Sequence, residues 1–120
     1  MRFSLFAAIL AALISVSVSA KTVLITGSNR GIGLELARQY AEQGWTVIAT
    51  SRTPHDDEDL KSLETEYDNL RIEALDVNDF TAIDALAKKL DGTPIDVLLN
   101  NAGILGGGRD VQSIGNIDFE

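Results

Sequence analysis

Short apolar runs alternate with stretches in which apolar positions recur every three or four residues, from Lys21 to about Gly103. Thr22–Thr26 holds Val23, Leu24 and Ile25 without a break, the pattern of a strand buried on both faces. Gly31–Gln43 spaces Ile32, Leu36 and Tyr40 four apart, and Ala37 and Ala41 widen that face. This predicts a helix with the Ile32 side chain in the core, stopped by Gly44. Thr46–Thr50 is a second strand, and Asp56–Glu66 a second helix with acidic residues at its start, where the helix dipole favours them. Leu70–Leu75 alternates as a third strand, and Asp79–Leu90 is a third helix with Phe80, Ile83, Leu86, Ala87 and Leu90 facing inward. Pro94 opens a fourth strand over Ile95–Leu99. Asn100–Gly108 is a loop ending in three glycines, and Val111–Glu120 fits neither period.

Strands and helices in strict alternation imply an α/β fold: a doubly wound parallel sheet joined by right-handed crossovers. A strand order of 3-2-1-4 would leave the fourth strand as an apolar edge carrying Val97, Leu98 and Leu99. The segment therefore reads as the N-terminal half of such a fold, about four strands and three helices, truncated and poorly stable alone.

Residues 1–20 have a different character. Arg2 is their one charge, Leu5 to Val18 is apolar apart from serines, and Val18-Ser19-Ala20 suits signal-peptide cleavage. A cleaved signal peptide would make the product exported, either secreted or periplasmic. An uncleaved membrane anchor is a second reading, since a span needs about 20 residues. A third is a true start near Lys21, which would leave the protein in the cytoplasm. The domain then occupies residues 21–120.

Net charge is −8, which argues against a general affinity for nucleic acid or anionic membrane. With no cysteine there is no disulfide framework and no thiolate metal site, and the single histidine, His55, could not build a zinc site alone. His55 lies beside Pro54 in a polar loop and reads as a surface residue, Trp45 at a helix–strand junction reads as a packing residue, and Tyr40, on the helix face with Leu36, reads as core.

Between the first strand and the first helix lies Thr26-Gly27-Ser28-Asn29-Arg30-Gly31-Ile32-Gly33. A glycine turn that feeds a helix start makes an anion site, because the first helical N–H groups are unpaired and lie at the positive end of the dipole. Gly27 permits a sharp turn, Gly31 leaves room for a pyrophosphate, and Gly33 allows close helix–strand packing. The pattern predicts a dinucleotide on a Rossmann-type sheet. Ser28 and Asn29 offer side-chain donors to the phosphates, and Ile32 its backbone N–H.

The spacing Thr26-Gly27-x-x-x-Gly31-Ile32-Gly33 resembles the cofactor motif of the short-chain dehydrogenase/reductase family. Asp76-Val77 after the third strand, Asn100-Asn101-Ala102-Gly103 after the fourth, and Thr50-Ser51-Arg52 at the end of the second all fall where that family has its further motifs. Within it, the segment looks most like carbonyl reductases and C-factor-type signalling proteins. The resemblance implies that Asp76 hydrogen-bonds the adenine amino group with the Val77 backbone beside it. It also implies that Asn100 and Asn101 brace the sheet and border the adenosine ribose, and that the backbone of Ala102 and Gly103 passes close to the cofactor. Plainer readings are a helix cap for Asp76 and an ordinary turn for Asn100–Gly103.

Cofactor choice rests on the end of the second strand, where NAD binding needs an acid for the ribose 2′-OH and NADP an arginine for the 2′-phosphate. Ser51-Arg52 supplies no acid and one guanidinium, and Arg30 a second, so NADP is favoured over NAD unless both arginines are merely solvated. The family implies carbonyl/alcohol interconversion by a Tyr acid/base, a Lys, a Ser and a further Asn. No Tyr-x-x-x-Lys occurs here: Tyr67 is followed four residues later by Arg71, and Tyr40 by Gly44. Three functions follow: the cofactor-binding part of an NADP(H)-dependent oxidoreductase acting on a small carbonyl or alcohol, a non-catalytic nucleotide-binding or signalling protein, or a fragment without function.

Overall fold

The computed structural model describes residues 20–103. The expectations for the leader, for the loop after Gly103 and for Val111–Glu120 lie outside the described residues. Four parallel strands, β1 (Thr22–Ile25), β2 (Thr46–Ser51), β3 (Leu70–Ala74) and β4 (Val97–Leu99), lie in the order β3-β2-β1-β4. Helices α1 (Gly31–Glu42), α2 (Glu58–Glu66) and α3 (Phe80–Lys89) connect them in turn. The ends of the expected elements move by no more than two residues.

Side chains alternate across a strand, so each strand serves both faces. Val23 and Ile25 of β1, Val47 and Ala49 of β2 and Leu70 of β3 pack with Ala37 and Ala41 of α1 and Leu60 and Leu63 of α2. Leu24 and Ile48, one position along, turn the other way and meet Leu86 of α3 with Leu75 and Leu90 beside it. This is the division a reversal of winding produces: two crossovers run outward from β1 over one face, and the third returns over the opposite face to β4.

Local chemistry fixes the ends of the helices. Gly44, at φ +84°, closes α1, with its N–H on Ala41 O at 3.0 Å and that of Trp45 on Tyr40 O at 3.1 Å. Asn69 adds a bridge from its Nδ2 to Ala41 O (2.9 Å) and Trp45 O (2.7 Å). Trp45 packs edge-on against Tyr40 at 4.9 Å, as expected of a packing residue, whereas Tyr40 is only half-buried at the edge of the core rather than within it, because the buried stripe of its helix lies one residue further along. Asp79 caps α3, accepting from the Ala82 N–H at 3.1 Å, so Asp76 is not that cap. Lys89, in the last turn of α3, reaches the buried Glu73 of β3 at 2.6 Å and ties helix to sheet.

Two expectations about helix faces are overturned. Ile32 is 73% exposed, not core. The buried stripe of α1 is Gly33, Ala37 and Ala41, one residue further along, because the helix approaches the sheet closely and only small side chains fit between. On α3, Leu86 and Leu90 are buried as expected, but Phe80 is 80% exposed, and Ile83 and Ala87 are also exposed. The apolar stripe of α3 is wider than the sheet beneath it: Ile83 and Ala87 border an open groove against Leu98 of β4 rather than a filled core.

Candidate functional site

All four strands end on the same side, and there the connections open a cleft of about 300 Å³. Its floor is the glycine turn. Gly27 (φ +65°) and Gly31 (φ +58°) adopt the left-handed backbone that disfavours any other residue. A Cβ on Gly27 would stand 2.9 Å from Ala102 Cα, so this glycine lets two loops touch. A Cβ on Gly31 would meet nothing within 4 Å, since its outward side faces the open cleft. Gly33 lies below: a Cβ there would be 2.0 Å from Gly27 O and 2.6 Å from Asn101 Nδ2. Close packing at Gly33 thus matches the sequence reading, and its immediate partners are the turn and Asn101.

The turn is fastened to the loop after β4 through Thr26. Its Oγ1 accepts from the N–H groups of Asn101 and Ala102, both at 3.0 Å. Asn101 returns the contact, its Nδ2 donating to Gly27 O at 3.1 Å and Thr26 O at 3.3 Å. Sequence reasoning quoted Thr26 only as the edge of a motif. The available signal was a buried hydroxyl immediately before the turning glycine, where both donor and acceptor capacity can be used.

Of the fourteen residues the sequence singles out, eleven line the cleft: Gly27, Asn29, Arg30, Gly31, Ile32, Arg52, Asp76, Val77, Asn101, Ala102 and Gly103. Leu75, taken only as strand, is a twelfth lining residue. Ser28 does not join them. It is fully buried, with its hydroxyl donating to Ile25 O at 2.9 Å and its N–H to Thr50 O at 2.8 Å. The turn points this side chain down into the sheet, so the expected donor to an anion is spent on holding the turn. Gly33 lies under the floor, and Asn100 is exposed on the other side, beside the groove of α3 and β4.

The electrostatics favour an anion at one end. Arg30 is the N-cap of α1 with no side-chain cap bond, and no acidic residue occupies the first turn of the helix. The first amides of α1 therefore open into the cleft without an intrahelical partner, at the positive end of the dipole. Arg30 and Arg52 are exposed on its walls, and neither pairs with an acid among the described residues. Half-buried Asp76 also lines the cleft; its Oδ1 accepts from the Asn78 N–H at 3.0 Å, and its second oxygen has no hydrogen-bond partner among the described residues.

A parallel sheet ordered β3-β2-β1-β4 with a glycine turn between β1 and α1 is the N-terminal half of a Rossmann-type fold. Residues 21–120 match the family model described as short chain dehydrogenase, and the chain belongs to that family. It is similar to (-)-isopiperitenone reductase of Mentha piperita, 37% identical over 101 residues, which cover 78% of this chain and 31% of the relative. It is also similar to the NADP-dependent 3-hydroxy acid dehydrogenase of Escherichia coli K12, 38% identical, covering 82% of this chain and 40% of that protein. Among solved structures, a carbonyl reductase from Pseudomonas aeruginosa PAO1 in complex with NADP superposes with a TM-score of 0.68 at 34% identity, covering 82% of this chain and 44% of that one. A short-chain dehydrogenase/reductase from Burkholderia multivorans with bound NADP gives a TM-score of 0.70 at 35% identity, covering 84% and 44%. The chain thus spans less than half the length of each of these relatives.

Proposed function

We propose that the cleft holds the adenosine and pyrophosphate half of NADP(H), and that the protein acts as the cofactor-binding part of an oxidoreductase interconverting carbonyls and alcohols. The observation that carries this reading is the combination of a helix start without a side-chain cap and two arginines, unpaired among the described residues, around an open glycine turn. NADP(H) would supply the hydride. The chain's own part is to bind and orient. The amides at Gly31 and Ile32 would receive the pyrophosphate, with the Gly31 backbone close because no side chain stands there. Arg52 and Arg30 would take the 2′-phosphate. Asp76 would accept from the adenine amino group, next to the backbone of Val77 and beside Leu75. Asn101 would act indirectly, by holding the Gly27 carbonyl away from the cleft. The NADP complexes among the solved structures and the names of the curated relatives support the same cofactor and reaction class.

Calorimetric titration with NADPH and NADH tests this. NADPH should bind the wild-type chain more tightly. Arg52→Asp should weaken NADPH about tenfold or more, the value of a charge-assisted phosphate contact, and leave NADH nearly unchanged. Equal losses for the two cofactors would overturn the NADP assignment.

A further inference from the structure

Asp57 occupies the N-cap position of α2, where a carboxylate ordinarily accepts from helix amides, yet it makes no cap bond. It accepts instead from the hydroxyl of Ser51, at the end of β2. Ser51 is almost fully buried, and two further contacts tie it to the loops around it. Its Oγ also accepts from the Thr53 N–H at 3.1 Å, and its carbonyl accepts from the Leu75 N–H at 2.8 Å. Arg52 lies between the two ends of the first of these bonds, and Asp76 directly follows Leu75. The far wall of the cleft therefore hangs on Ser51.

We propose that the Ser51–Asp57 latch is a specificity device: these are positioning residues that hold the β2–α2 loop so that Arg52 faces the cleft as a 2′-phosphate receptor. The inference rests on the NADP reading above. The loop contains exposed Asp56, Glu58 and Asp59, which would repel a phosphate dianion if the chain around Arg52 were free to fold inward. Tying Asp57 back to β2 fixes which way the loop turns, and a second turn, Asp56 N–H to Thr53 O at 3.0 Å, keeps it short. A carboxylate near a phosphate site here assists phosphate binding through geometry, against its own charge.

That opposition gives the test a sign. Truncating the Asp57 side chain should strengthen phosphate binding if only Coulomb forces act, and weaken it if the latch positions Arg52. The probes are adenosine 2′,5′-bisphosphate and 5′-AMP, titrated calorimetrically into the full chain, which isolates the 2′-phosphate without requiring turnover. Ser51→Ala and Asp57→Ala should each cut the preference for the bisphosphate about tenfold, with 5′-AMP affinity little changed. Ser51→Thr and Asp57→Asn, which keep the hydroxyl donor and an acceptor oxygen, should retain the preference. Asp57 is only half-buried, so Asp57→Ala decides the matter where Ser51→Ala fails to fold. A preference that is unchanged or higher in Asp57→Ala overturns the latch while leaving the NADP reading standing. A wild-type chain with no preference for the bisphosphate removes the NADP reading, and the latch with it.

Discussion

Gly31 and Gly33 are two residues apart and meet opposite demands. Gly33 has no free volume around it, so Gly33→Ala must push α1 off the turn. Overpacking of this kind costs about 1–3 kcal/mol, and it should lower the melting temperature and weaken nucleotide binding together. Gly31 has free volume but an unusual φ, so Gly31→Ala keeps the packing, with backbone strain of about 1–2 kcal/mol, and places a methyl where the pyrophosphate would lie. Far-UV dichroism should show a folded Gly31→Ala chain whose NADPH affinity falls about tenfold or more. Unchanged affinity would remove the glycine turn from the site. The glycines were legible because their reasons are local: a positive φ and a close contact each leave one permitted residue type. Ser28 and Ile32 were not. Whether the Ser28 hydroxyl points into the sheet or out of it depends on the turn's backbone angles, and whether Ile32 is covered depends on how close the helix lies to the sheet. A pattern of residue types carries neither quantity.

At the level of elements, the strands were legible because unbroken β-branched and aliphatic runs such as Val23-Leu24-Ile25 have one stable use in an alternating chain. Their order is the one a doubly wound sheet takes, which strict alternation of strands and helices implied. The burial of α3 was not legible, since Phe80, Ile83 and Ala87 obey helical spacing whether or not anything covers them. Helix α1 carries its own pH response on the exposed side. Arg38 bridges Glu35 and Glu42, with its Nε 3.0 Å from Glu35 Oε2. Hydrogen bonds from Arg38, then Gln39, hold the Glu35 carboxyl down from 4.5 to about 2. A depressed carboxylate contributes above its unfolded pKa and stops contributing as pH falls through the folded one. Its contribution is therefore lost between about pH 4.5 and pH 2. Arg38→Met should reduce the steepness of acid unfolding followed by ellipticity in that window. An identical acid limb in the variant would show the bridge to be inconsequential.

Across the whole molecule, the two faces of the sheet differ. The α1/α2 face is closed over Val23, Ile25 and Val47, whereas α3 covers only part of the other. Leu98 at the β4 edge is 56% exposed and borders, with Ile83, Ile95 and Leu90, a groove of about 860 Å³. Apolar edges of this kind promote self-association. Leu98→Lys should shift sedimentation profiles toward monomer and leave the dichroism spectrum intact, and an unchanged distribution would show that the edge does not drive association. The nucleotide cleft lies on the C-terminal ends of the strands, where turn, loop and arginines are brought together by topology alone. Arg52 and Asp76 belong to different crossovers, and only the sheet makes them neighbours of Gly31. The central claim, that these separated residues form one dinucleotide site, is tested most directly by recording amide shifts of the isotope-labelled chain during titration with NADPH. The amides of Gly27, Gly31, Ile32, Arg52, Asp76 and Val77 should move together along one binding curve while those of Leu86 and Leu98 stay in place. Shifts confined to the groove of α3 and β4, or none at saturating NADPH, would contradict it.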